Sequence, residues 1–171
     1  MLPHKSGEVV GQMPDQMFSD LQAALPIDES HAFEAMLLSW PQTEKTTPFQ
    51  HQVLNSLEPC LDAIRERERL CVRFIGFTIR NGLVLPGKTP FGDDMDSWHR
   101  DGNFFNLPGR YATSNCLSME IQGIKPAKPG QLVCFNKRKH RSPINPTTEI
   151  ITRTWVRAEA YHIPWNRDID F

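Results

Sequence analysis

His99 and Asp101 stand two residues apart in the stretch SWHRDG. Alternate residues of an extended chain project from one face, so this imidazole and this carboxylate converge while Arg100 turns away. A second imidazole follows at His140, in FNKRKHRSP, just beyond the strand-like run QLVCFN. Two imidazoles and one carboxylate make a facial triad, a donor set that holds Fe(II) on one side and leaves positions open for oxygen and a co-substrate. By itself, His-x-Asp is more often a local hydrogen bond or a turn cap. The downstream residues shift the weight, because Arg153 and Arg157 occur on the last strand-like run and share a face by period two. The five-donor fork of a guanidinium suits a two-point hold on the far carboxylate of a dicarboxylic co-substrate.

These residues need elements to position them. The first 69 residues read as helical. Met17, Phe18 and Leu21 share a face of a helix from Asp15 to Leu25, closed by Pro26. In DESHAFEAMLLSWP, Phe33, Met36, Leu37 and Trp40 recur at helical spacing, with Asp28 as the N-cap and Pro41 as the stop. A third helix runs from about Pro48 to Arg69 and should kink or split at Pro59. From Leu70 the pattern changes. LCVRFIGFTIRNG is rich in β-branched and aromatic residues and ends in Asn81-Gly82, a hairpin signal. Further strands are expected at 83–85, 110–123, 130–136 and 150–163, with no helix of any length between them. Helices followed by antiparallel-type strands predict a sandwich or small barrel with helices on one side.

The order WHRDG, RYATSNCLSME, KPGQLVCFN, HRSP and TRTWVRAEAY resembles the Fe(II)- and 2-oxoglutarate-dependent oxygenase superfamily, whose signature is His-x-Asp/Glu, a distal His and a following Arg. The resemblance spans residues 97 to 160. It implies a mainly β fold with N-terminal helices, the double-stranded β-helix, a cupin-like jelly roll. One domain would then cover 1–171, with 1–69 as helical support and 70–171 as the catalytic core. It also implies Fe(II) held by His99, Asp101 and His140, and 2-oxoglutarate anchored by Arg153, ranked above Arg157 for its separation from the distal histidine. Many members carry Ser two residues after the anchoring arginine, where this chain has Trp155. The intact Asp101 favours hydroxylation, desaturation or cyclisation over halogenation, whose branch replaces the acidic ligand by Gly or Ala. The expected reaction couples oxidation of a small-molecule or amino-acid-type substrate to release of succinate and CO2. Two other readings stay open: a metal cupin that uses the triad without 2-oxoglutarate, and a β-barrel binding module in which His99 and Asp101 share a structural hydrogen bond.

Composition sets the outer bounds. A chain of 171 residues, 39% hydrophobic and 23% charged, can bury a core without staples. A net charge of -1 gives no long-range attraction for nucleic acid or an anionic membrane, so neither is expected as a partner. Cys60, Cys71, Cys116 and Cys134 show no zinc spacing and read as reduced thiols. No stretch has the apolar length of a signal peptide or a membrane span, and the expected location is the cytoplasm. NKRKHR reads as a solvated loop, and Trp98, Phe104 and Phe105 as pocket lining or core. His4, His31, His51 and His162 have no partner at ligand spacing, and Asp93, Asp94 and Asp96 do not make a calcium loop.

Overall fold

A computed structural model describes residues 6–28, 36–69, 72–90, 97–100, 109–136 and 138–162. It is mainly β, with a seven-stranded sheet, a two-stranded sheet and three helices among the described residues.

The helical reading of the N-terminal region holds for three segments and fails for a fourth. α1 (Asp15–Ala24) buries Met17, Phe18 and Leu21 and ends before Pro26, as their spacing predicts. α2 (Pro48–Ser56) opens with a capping box. Gln50 N donates to Thr47 Oγ1 at 3.2 Å, and Thr47 N donates to Gln50 Oε1 at 2.9 Å. α3 (Glu58–Arg67) begins as a new helix, because Pro59 falls in its first turn, where a missing N–H costs nothing. The expected third helix is therefore split rather than kinked.

The expected helix over DESHAFEAMLLSWP is not found. Ile27–Asp28 forms β2 and Met36–Trp40 forms β3, while residues 29–35, including Phe33 and His31, lie outside the described residues. Both strands pair with β4 (Phe74–Val84), β2 in parallel and β3 antiparallel. Asp28 sits opposite Gly82 instead of capping a helix. Met36, Leu38 and Trp40 fall opposite Ile79, Phe77 and Ile75, an apolar match that outweighs the helical spacing of the same residues. β1 (Val9–Gln12) is a further strand inside the region read as helical.

The Asn81-Gly82 turn is a second correction. β4 runs straight through both residues, paired along its length with β9 (Ile151–Tyr161). Asn81 is held in the strand by its side chain. Its Nδ2 donates to Leu21 O at 3.0 Å and Leu25 O at 3.3 Å, and its Oδ1 accepts from Thr154 Oγ1 at 2.8 Å. The amide thus reaches the C-terminal end of α1, where Leu25 O lies beyond the last carbonyl that the helix bonds internally, Leu21 O.

The remaining strands are β5 (Gly109–Ser114), β6 (Glu120–Ile121), β7 (Gln131–Cys134) and β8 (His140–Arg141). The large sheet has the order β1-β7-β5-β9-β4-β2, with β3 also on β4, and the small sheet pairs β6 with β8. An isolated bridge between His99 and His140 adds a third segment to the small sheet. From β4 onward, successive strands therefore alternate between the two sheets: β4 large, His99 small, β5 large, β6 small, β7 large, β8 small, β9 large.

Alternation along each strand gives the large sheet two unlike faces. Ile75, Phe77 and Ile79 of β4 and Val156, Ala158 and Ala160 of β9 lie on one face and form one buried cluster with Met17, Phe18, Leu21, Val53 and Ile64 of the helices and with Leu57 between α2 and α3. The other face carries Thr78, Arg80 and Gly82 of β4, Arg153, Trp155, Arg157 and Glu159 of β9, and Arg110, Ala112 and Ser114 of β5. Ala112 and Val133 of this second face cluster with Ile121 of the small sheet and with Met119 and Phe135, which flank β6 and β7. This smaller apolar cluster joins the two sheets.

Candidate active site

Ile121 and His140 are directly paired in the small sheet, as are His140 and His99 across the bridge. Paired residues share a face. Ile121 packs against Ala112 and Val133, so the face bearing both imidazoles looks toward the arginine-bearing face of the large sheet. The backbone fixes the two histidines to each other: His99 N donates to His140 O at 3.0 Å, and His140 N to His99 O at 2.9 Å. Their ring centroids are 4.6 Å apart, and the His140 ring meets Phe135 edge-on at 5.0 Å.

Each imidazole is also oriented by a carbonyl two residues upstream. His99 Nδ1 lies 2.9 Å from Ser97 O, and His140 Nδ1 lies 3.3 Å from Arg138 O. A carbonyl can only accept, so Nδ1 carries a hydrogen in both rings, and in the neutral imidazole the lone pair is then on Nε2. That is the tautomer a histidine needs to act as a metal ligand. Asp101 lies outside the described residues, as do Phe104, Phe105, Asp93, Asp94 and Asp96. Among the described residues no group of three metal-ligating side chains is assembled.

Arg153 and Arg157 lie on the same face of β9, as period two predicts, but in different surroundings. Arg153 is buried, at 2% exposure, and its Nε donates to Leu117 O at 3.0 Å. Burial pushes its guanidinium down from the ordinary range to about 9; nearby Arg80 adds to the shift and Cys116 opposes it. Arg157 is half-buried, lies over the Trp155 ring at 5.7 Å from its centroid, and has Nε 4.0 Å from Glu159 Oε1. Glu159 also faces Arg110, at 3.6 Å.

Two of these arginines escape the spacing argument. Arg80 is 3% exposed and donates from Nη1 to Pro90 O at 2.8 Å, and Arg110 is 7% exposed. A cation inside an apolar strand is the signal that marks them: Arg80 interrupts FTIRNG, and buried charges are rare unless something engages them.

Other singled-out residues are accounted for locally. Trp98 stacks beneath Arg141, 4.5 Å from guanidinium carbon to ring centroid, and Arg141 Nε donates to Glu120 Oε2 at 2.6 Å. His162 Nε2 is 2.8 Å from Glu68 Oε2, while Tyr111 OH donates to the other carboxylate oxygen. Cys60, Cys116 and Cys134 are free thiols, and burial pushes Cys60 and Cys134 up to about 12, so both stay protonated at neutral pH. No helix among the described residues is long and apolar enough to cross a membrane.

The chemistry available between the sheets is thus paired, tautomer-fixed imidazoles on one wall and buried guanidinium groups on the other. Comparison with known proteins returns no family model that matches the chain and no curated protein similar to it.

Proposed function

We propose that the chain is an Fe(II)- and 2-oxoglutarate-dependent dioxygenase on a double-stranded β-helix. The observation that carries this reading is the pairing of His99 with His140 on one face, each with Nδ1 tethered to a carbonyl, opposite the face that bears Arg153. The alternation of strands between two sheets is what a jelly roll requires, and it supports that architecture.

The donor set fits a ferrous ion. Two imidazole Nε2 lone pairs on one wall need one carboxylate to complete a facial triad, and Asp101, two residues from His99, is the residue assigned to supply it. When bound, iron would supply oxygen activation driven by decarboxylation of the co-substrate to succinate and CO2. The protein's own part is orientation and exclusion of water. Arg153 holds the far carboxylate of 2-oxoglutarate in a pocket where a charge-assisted pair is strong. Trp155, buried beside it on the same face, keeps solvent from that pair. The substrate is a small molecule or amino-acid-type compound that is hydroxylated, desaturated or cyclised. The free thiols accord with a reducing cytoplasm.

The test is anaerobic addition of Fe(II) and 2-oxoglutarate to the purified protein, followed by visible spectroscopy. The expected result is the weak charge-transfer band of a chelated 2-oxo acid, lost in His99→Ala, Asp101→Ala and His140→Ala. Absence of the band in the parent protein would overturn the reading in favour of a metal cupin or a binding module.

A further inference from the structure

The small sheet is short. β6 and β8 pair over two residues each, and one bridged pair, His99 with His140, attaches the third segment. Side chains alternate between faces along an extended chain, so a slip of one residue would turn an imidazole from the inner face to the outer one. So few backbone pairs resist a slip weakly. Register in a sheet of this size has to come from side chains as well.

The outer face supplies them. Glu120 is paired with Arg141, next to the pair of Ile121 with His140, and one step along the antiparallel bridge sets Trp98 opposite Arg141. Trp98, Arg141 and Glu120 therefore form a row across three segments, one residue displaced from the row of His99, His140 and Ile121 and on the opposite face. Contacts run along this outer row. Arg141 Nε donates to Glu120 Oε2 at 2.6 Å, and the guanidinium carbon lies 4.5 Å from the Trp98 ring centroid. One guanidinium can do both, since its edge carries the donors and its plane stacks on an indole. A slip of the 97–100 segment by one residue would set Arg141 opposite Ser97 or His99 and lose the stack.

We infer that Arg141 is a positioning residue for the candidate metal centre: its pair with Glu120 and its stack on Trp98 lock three segments in the register that holds His99 and His140 side by side. The inference rests on the reading of these histidines as metal ligands. With 40% of the Arg141 side chain and 27% of the Glu120 side chain exposed, water screens the ion pair, so the row contributes little to global stability. Its effect is local, at the two backbone hydrogen bonds that join His99 to His140 and at the metal these residues hold.

The experiment has two readouts, one of which needs no metal. In the metal-free protein, amide hydrogen exchange at His99 and His140 should be about tenfold faster in Arg141→Ala, while the amides of β4 and β9 exchange as in the parent. The thermal midpoint should shift by no more than about 3 °C. In an anaerobic titration with Co(II) alone, whose visible bands report imidazole ligation, the same variant should bind about tenfold more weakly. Glu120→Gln and Trp98→Ala each remove one contact and should give smaller losses. Arg141→Lys should recover only part, because an ammonium keeps the charge and loses the planar stack. Unchanged exchange at the two amides overturns the positioning role and leaves the metal reading intact. Faster exchange spread evenly over both sheets, or faster local exchange with unaltered Co(II) affinity, overturns it as well. A parent protein that binds no Co(II) overturns the metal reading, and the positioning role with it. Should Arg141→Ala fail to fold, Glu120→Gln decides by the same two readouts.

Discussion

The two faces of the large sheet are built from the same strands and obey different rules. Along β9, Val156, Ala158 and Ala160 meet the helices, while Arg153, Trp155, Arg157 and Glu159 alternate with them and look toward the small sheet. The helical face is apolar and close-packed, and its contribution is burial. The opposite face places cations out of water, which costs stability unless something compensates. A face that gathers buried cations from several strands at once is the candidate for a site. Stability and binding should therefore separate by residue parity along one strand.

The largest effect expected from this division is on stability. Phe77→Ala, on the helical face, should cost about 3–5 kcal/mol in chemical denaturation, because the helices on one side and the strands on either side leave the cavity little room to collapse. Among the molecules that remain folded, 2-oxoglutarate affinity should be unchanged. A comparable loss of affinity in this variant would break the separation of the two faces.

Arg153→Ala is the mirror experiment. It should weaken 2-oxoglutarate by about 2–5 kcal/mol while iron binding survives. Arg157→Ala, at a half-buried position beside Glu159, should cost about 1 kcal/mol or less. Loss confined to Arg157→Ala would move the anchor to that residue.

The pH dependence follows from the same burial. The charged Arg153 needed to hold an anion is lost as pH rises through about 9, so 2-oxoglutarate affinity should fall by up to about tenfold per pH unit above that value. Stability of the ligand-free protein should move the other way. Between about 9 and the ordinary arginine range the unfolded chain binds the extra proton, so raising the pH favours the folded state. Affinity that stays flat through this window would place the charge on a different group.

A smaller effect sharpens the comparison at the sheet's helical face. Asn81→Ala removes an amide that donates to two carbonyls at the end of α1 and accepts from Thr154, and should cost about 1–3 kcal/mol in denaturation midpoint analysis. Hydrogen exchange should localise the loss to α1. Uniform loosening of both faces would show that they are not independent.

Local patterns made much of this legible. Met17, Phe18 and Leu21 sit one turn apart and pack as a helix should, and Pro59 marks a helix start as its missing N–H dictates. Strand periodicity placed Arg153 and Arg157 on one face of β9. What failed was tertiary. Met36, Leu37 and Trp40 satisfy a helical spacing, yet the edge of β4 offers Ile79, Phe77 and Ile75 in a row, and pairing prevails. Asn81-Gly82 has the composition of a turn, but its amide serves a helix end distant in sequence and its glycine makes room for Arg80. Neither partner can be seen from neighbours along the chain. The histidine pair was legible as types and order, whereas the carbonyl tethers that set their tautomers were not, because backbone geometry carries no residue signature.

The alternation of strands between two sheets also has a consequence for time. The bridge between His99 and His140 closes over β5, β6 and β7, and the ladder that brings Arg80 beside Arg153 joins β4 to β9, the first and last strands of that region. Such pairings carry a large loop-closure cost and slow the search for the native state. α1, α2 and α3 close only local contacts, but at 10, 9 and 10 residues they too depend on the sheet face that buries them. The imidazole pair and the arginine pair are then among the last contacts to be made, and a partly folded chain offers a metal ion or an anion no assembled place to bind.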